Sequence, residues 1–207
     1  ADGAQVVAPR DKGIITEVNA VTDFGQIKRM DRAEAEAKKL FTLIGEEVDE
    51  AFDRNVQASL MNHEMIQRMG DKLNIVYTPL HGSGNMPVRR NLEKAGFKNV
   101  FIVKEQEMPD SSFSTVDYPN PEDVKVFVMA QELAAKVDAD VLIGTDPDAD
   151  RVGAMVKDSN GEFVALTGNH VGALATEYIL SQRKEQGKLP ANGAVIKTIV
   201  STEMITP

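Results

Sequence analysis

"LNIVYTPLHGSGNMPVRRNLEKAGFKNVFIVKE", residues 73–105, decides the fold. The apolar run at 73–80 reads as a buried strand, residues 84–97 as a helix ending at Gly96, and 99–105 as a second strand. Further along, 120–137 reads as a helix, with Asn120 as its cap, Pro121 at the first helical position and Glu122 and Asp123 in the first turn. A third strand follows at 139–145. Strands alternating with helices imply parallel neighbours, because a parallel pair needs a crossover connection. Residues 151–158 and 162–166, joined through "SNG", read as a hairpin that adds an antiparallel edge. The expected fold class is therefore α/β: a mixed, mostly parallel sheet flanked by helices.

Outward from this centre the pattern changes. Upstream, residues 33–70 are helical in pattern, with Gly45 and Asn62 as interruptions, and residues 1–30 hold one helix-like patch, "DKGIITEVNAV". Downstream, "LTGNHVGALATEYILSQRKEQG" reads as a helix ending at Gly187 and 193–201 as a strand, the opening of a further α/β unit. Both ends of the chain read as cuts through a longer protein.

Composition narrows the function. A hydrophobic content of 42% is enough for a packed core in 207 residues. A net charge of -9 argues against a nucleic-acid partner, since phosphate backbones are gripped by clustered Lys and Arg. There is no cysteine, so there is no disulfide framework, thiolate zinc site or thiol nucleophile, which is compatible with the cytoplasm. No apolar stretch approaches the roughly 20 residues that cross a bilayer, and no signal peptide is expected.

The chemistry is concentrated in "GTDPDADRVG", residues 144–153, where Asp146, Asp148 and Asp150 follow directly on the third strand. Ligands of open α/β sheets gather beyond the carboxyl ends of strands, so the position favours a site. Three carboxylates this close repel one another unless a cation neutralises them. Oxygen-only ligation selects a hard ion, and open positions for water or a phosphate oxygen suit Mg²⁺. An EF-hand loop is excluded, because Arg151 and Lys157 stand where that loop needs Gly and Glu. A solvated acidic turn remains as the alternative, and Arg151 reads equally as its counter-ion or as a phosphate-gripping guanidinium. "YTPLHGSGN", residues 77–85, is a second candidate, a Gly-rich turn before a helix start. It lacks the Lys and spacing of a P-loop; His81 and Ser83 are catalytic candidates, but no general base or orienting partner is identified for Ser83, and a His in a strand-to-helix turn is more often structural. The irregular stretch 107–123 reads as a domain contact with turn-forming serines.

"GTDPDADRVG" closely resembles the metal-binding loop of the α-D-phosphohexomutases, the phosphoglucomutase and phosphomannomutase superfamily. "TPLHGSGN", "FSTVDYPNPED", "LTGNHVGAL" and "KTIVST" resemble, in the same order, segments of its bacterial branch. "ADGAQVVAPRDKGIITEVN" looks like the stretch after the active-site serine region of the first domain. The resemblance implies a four-domain isomerase that moves a phosphoryl group between the 6- and 1-positions of a hexose, through a phosphoserine and a bisphosphorylated sugar. On this chain it implies residues 1–32 as the tail of domain 1, 33–166 as the metal-binding domain 2 and 167–207 as the start of domain 3. Asp146, Asp148 and Asp150 would hold Mg²⁺, and Arg151 would contact phosphate or substrate. The partners implied are a phosphosugar and the remaining domains of the parent enzyme.

The departures limit that implication. The family's serine loop, of the form Thr-Ala-Ser-His-Asn-Pro, is absent from the chain, as are the sugar-selecting loop of the third domain and the phosphate loop of the fourth. No catalytic residue is therefore assigned here, the chain alone is expected to be inactive as a mutase, and glucose is not distinguished from mannose. Two rivals stand beside this reading. One is a magnesium-dependent phosphatase or phosphotransferase with an Asp nucleophile, and the other a non-catalytic metal-binding module.

Overall fold

The structure, a computed structural model, describes residues 4–206. Two compact units divide the chain, residues 1–45 and residues 46–207. In the first, α1 (Arg10–Ala20) and α2 (Arg32–Ala37) are both without a buried residue. Asp31 caps α2 by accepting from the Ala33 amide at 2.9 Å.

The second unit carries the sheet. α3 (Glu46–Ala58) follows the Gly45 break, and α4 (His63–Met69) starts at Asn62, whose side chain accepts from the Met65 amide. The 73–105 stretch then gives β1 (Asn74–Thr78), α5 (Asn85–Ala95) and β2 (Asn99–Ile102). Gly96 terminates α5 at φ 114°, a left-handed value that favours glycine. β2 is shorter than its apolar run, because the chain turns into a 3-10 helix at Lys104–Gln106. That turn buries Gln106, whose amide oxygen accepts from the Thr78 hydroxyl at 2.6 Å.

The helix expected from Asn120 begins later. Asn120 folds back to accept from the Glu122 amide, and Asp123, in an extended conformation, caps a 3-10 turn at Val124–Phe127. Only then does α6 (Val128–Val137) run. Asn and Asp side chains offer the backbone local partners that compete with a helical start, and here they prevail. β3 (Val141–Thr145), β4 (Val152–Lys157), β5 (Phe163–Leu166) and α7 (Gly168–Glu185) complete the unit.

Sheet order is β2-β1-β3-β4-β5. β1 pairs in parallel with β2 and β3, with Val76 opposite Phe101 and Leu142, while β3–β4 and β4–β5 are antiparallel. The chain thus leaves β1 toward one side for β2 and returns across it to β3. Right-handed crossovers in opposite directions put α5 and α6 on opposite faces of the sheet. One face buries Val76, Leu142 and Met155 against Phe127, Ala130 and Ala134, where the two alanines let α6 approach closely. Each large side chain so buried contributes about 1.5–3 kcal/mol.

On the outer layer, α3 is fastened to α5 by a buried carboxylate. Asp53 is 1% exposed and accepts from Arg90, from Lys94 Nζ at 2.8 Å and from Asn91 Nδ2 at 2.7 Å. Its hydrogen bonds with Arg90 and Lys94 hold its carboxyl well below the usual range. The strand expected at 193–201 does not form. These residues lie as turn and coil, with Ile196 94% and Ile199 97% exposed, because no neighbouring strand among the described residues offers them a ladder.

Candidate metal centre

The reversal of direction at β1 makes the crevice between the carboxyl ends of β1 and β3 the place where this sheet presents a site. The two strand ends are tied there: the Tyr77 and Thr145 hydroxyls, both buried, hydrogen-bond at 2.8 Å. β3 runs directly into the aspartate loop. Asp146–Pro147–Asp148–Ala149 forms a turn closed by the Ala149 amide on the Asp146 carbonyl at 3.0 Å, with Pro147 at the position where its fixed φ suits a turn. Ala149 adopts φ 60°. A non-glycine residue in that region costs about 1–3 kcal/mol and persists because its surroundings over-determine it.

This turn brings the three carboxylates together. Asp146, Asp148 and Asp150 each offer an oxygen, all within 4.8 Å of one another. Asp146 is 1% exposed, whereas Asp148 and Asp150 open to solvent. Arg151 holds Asp146 from two sides, donating its amide to Oδ1 at 2.9 Å and its Nε to Oδ2 at 2.8 Å. Burial pushes the Asp146 carboxyl up, but hydrogen bonds from the Arg151 amide and guanidinium, together with those shared with Asp148 and Asp150, leave the group below the usual range. Asp150 is pushed up, chiefly by sharing a hydrogen bond with Asp146 and by the charge of Asp148. The Arg151 guanidinium is raised by its bond to Asp146, and its side chain stays 45% exposed.

The donor set suits a hard divalent cation. It consists of carboxylate oxygens alone, one buried and ionised and two open to water, which leaves room for non-protein ligands.

The β1–α5 turn, read from sequence as a second candidate, clamps the aspartate loop. Ser83 donates both its amide (2.8 Å) and its hydroxyl (3.1 Å) to the Pro147 carbonyl. Gly82 lies so close beneath Pro147 that a Cβ there would sit 2.6 Å from the Pro147 oxygen. His81, buried, uses both ring nitrogens internally. Nδ1 faces the Met108 carbonyl at 2.9 Å, which can only accept, and Nε2 meets the Thr115 hydroxyl at 2.8 Å. Neither Ser83 nor His81 has the partners of a nucleophile or base.

Sequence reading missed two participants. Asn120 accepts from Arg151 Nη1 at 3.3 Å, and Tyr118 lies beside the same guanidinium. Only the proximity of the 107–123 loop to the aspartates in space reveals them, and no local pattern carries that.

Residues 50–161 match the family model described as phosphoglucomutase/phosphomannomutase, alpha/beta/alpha domain II. A Haemophilus influenzae protein named "Probable phosphomannomutase" is 33% identical over 90% of this chain and 36% of its own length. Phosphoglucomutases of Staphylococcus aureus and Staphylococcus epidermidis are 37% and 38% identical over 74% and 80% of this chain and 28% and 29% of theirs. The chain belongs to the phosphoglucomutase/phosphomannomutase family and carries its alpha/beta/alpha domain II. It spans about a third of the length of these relatives.

Proposed function

We propose that this chain is the cation-binding portion of a phosphohexomutase that interconverts hexose 1-phosphate and hexose 6-phosphate. The observation that carries the reading is the trio Asp146, Asp148 and Asp150, gathered within 4.8 Å at the carboxyl end of β3 in the sheet's switch crevice. In this reading the trio binds Mg²⁺, residues 33–166 are the second domain of the parent, and residues 1–32 and 167–207 belong to its first and third. The cysteine-free composition accords with a place in the cytoplasm.

The division of labour follows from charge. In the parent, a phosphoserine outside this chain gives its phosphoryl group to the sugar, and the bisphosphorylated sugar returns its other phosphoryl group to the serine. When bound, the cation would offset negative charge on phosphoryl oxygens, the main contribution a protein site makes to such transfers. Asp146 stays ionised for it, because Arg151 stabilises the carboxylate. In this reading Arg151, anchored by that same bond and partly open to solvent, would donate to a phosphate oxygen. Ser83 and Gly82 keep the loop in register beneath it. Asp146 is a poor nucleophile, since it is buried with both oxygens held by Arg151, whereas a phospho-aspartate trapped on the exposed Asp148 or Asp150 would favour the phosphatase reading.

The test is a magnesium titration of the purified chain by calorimetry, against a variant with all three aspartates changed to Asn. One ion should bind the wild type and none the variant. Equal binding by both removes the metal assignment. Turnover of glucose 1-phosphate to glucose 6-phosphate by the chain alone would overturn the view that its nucleophile lies elsewhere.

A further inference from the structure

Arg151 is held at more than one edge, and the second hold comes from a segment distant in sequence. The loop before α6 returns across the sheet to meet the start of β4. The Pro121 carbonyl lies against Gly153, at a spot where any Cβ would collide with it. That contact sets Asn120 beside the arginine. Asn120 Oδ1 accepts from its own turn, the Glu122 amide at 3.1 Å, and from Arg151 Nη1 at 3.3 Å. Asp146 Oδ2 takes Nε of the same guanidinium at 2.8 Å. One planar group is thus gripped by a β3 loop residue and by a residue 31 positions away.

The physical consequence concerns orientation. A guanidinium bonded only through Nε remains free to tilt. A second acceptor at Nη1 fixes its plane, and a pre-oriented fork loses less entropy for each bond it makes to an oxyanion. With Nε held by Asp146, Nη1 held by Asn120 and Tyr118 beside the same group, the guanidinium is constrained on several sides while its side chain stays 45% exposed. Resting on the reading of Arg151 as a phosphate-facing group, we propose that Asn120 is a positioning residue, setting the plane in which Arg151 meets a phosphomonoester. Asn120 was expected from sequence only as a helix cap, a role it does not fill.

The experiment compares wild type, Asn120→Ala, Asn120→Asp, Arg151→Ala and the double variant Asn120→Ala/Arg151→Ala. Rotation and proton exchange of the Arg151 guanidinium are followed by ¹⁵N NMR, and inorganic phosphate is titrated in saturating Mg²⁺. Asn120→Ala should speed guanidinium rotation and weaken phosphate roughly three- to tenfold, the scale of one ordinary hydrogen bond. Asn120→Asp retains an acceptor at the same place and should restore slow guanidinium rotation, whatever its added charge does to phosphate. In the Arg151→Ala background, Asn120→Ala should cost no further phosphate affinity, although any effect on the 120–122 turn would persist in melting temperature. Unchanged guanidinium rotation in Asn120→Ala, or an equal phosphate loss with and without Arg151, overturns the proposal. A wild-type chain that binds neither magnesium nor phosphate defeats the functional reading instead, and the guanidinium measurement still decides this one.

Discussion

Gly82→Ala is the sharpest probe of how the aspartate loop is held. The added Cβ would stand 2.6 Å from the Pro147 oxygen and 2.8 Å from its carbonyl carbon, with the Cα closer still. Unstrained carbon contacts lie near 3.5–4.0 Å, so backbone rather than a pliable side chain must move by about 1 Å. Such overpacking costs about 1–3 kcal/mol. For a protein of this size each kcal/mol lowers the melting temperature by about 2–4 °C, giving a fall of roughly 2–12 °C. The displaced segment separates Asp146 from Asp148, so magnesium affinity should fall by about 10–100-fold, as when outer contacts of a metal site are lost. Thermal melting by circular dichroism and magnesium calorimetry read the two effects. Gly13→Ala, at a position with nothing within 4 Å, serves as the control and should leave magnesium binding unaltered. Ser83→Ala, which removes one of two bonds to the Pro147 carbonyl, should cost about 0.5–1.5 kcal/mol. If Gly82→Ala melts within a degree of wild type and binds magnesium as tightly, the clamp has no role in shaping the loop.

Two further predictions address stability. Tyr77→Phe strands the buried Thr145 hydroxyl and should destabilise by about 1–3 kcal/mol in urea, whereas Tyr77→Phe combined with Thr145→Val should recover most of that loss. A double variant no more stable than the single one would contradict it. Asp110 accepts from the Ser114 hydroxyl and from the Ser114 and Ser112 amides, which lower its carboxyl to about 2. A depressed acid contributes stability that is complete above its unfolded value near 4 and lost as pH falls through 2. The stability gap between wild type and Asp110→Asn should therefore be widest above pH 4 and close toward pH 2. A gap independent of pH would refute the assignment.

Much of the fold was legible because the strands carry their own evidence. The runs at 73–80 and 139–145 are mostly apolar, as strands covered on both faces tend to be, and Gly45, Asn62 and Gly96 punctuate the helices where the chain breaks. The aspartate trio was legible for the same reason, since ligands two residues apart on one turn are local. What failed was non-local. Asn120 looked like a cap because its helix-starting neighbours are right, yet its side chain is taken by a two-residue turn and by an arginine from another strand. Residues 193–201 carry a strand's composition, but a strand is a property of a pair, and no neighbour among the described residues supplies the other half. Ser83 and Gly82 looked like parts of an anion loop, and only three-dimensional contact with Pro147 reveals them as a brace.

The Asp53 hub bears on where the α/β layer can be cut. Its carboxylate satisfies Arg90, Lys94 and Asn91 of α5 from a helix that lies wholly upstream of the first strand. A boundary drawn just ahead of β1, where the strand pattern invites it, would strip the shared anion from two cations one helical turn apart. Like charges so placed repel, and the exposed flank of α5 would have to find a substitute counter-ion from solvent. α3 therefore belongs to the α/β layer as its electrostatic keystone, although it contributes nothing to the hydrophobic face of the sheet.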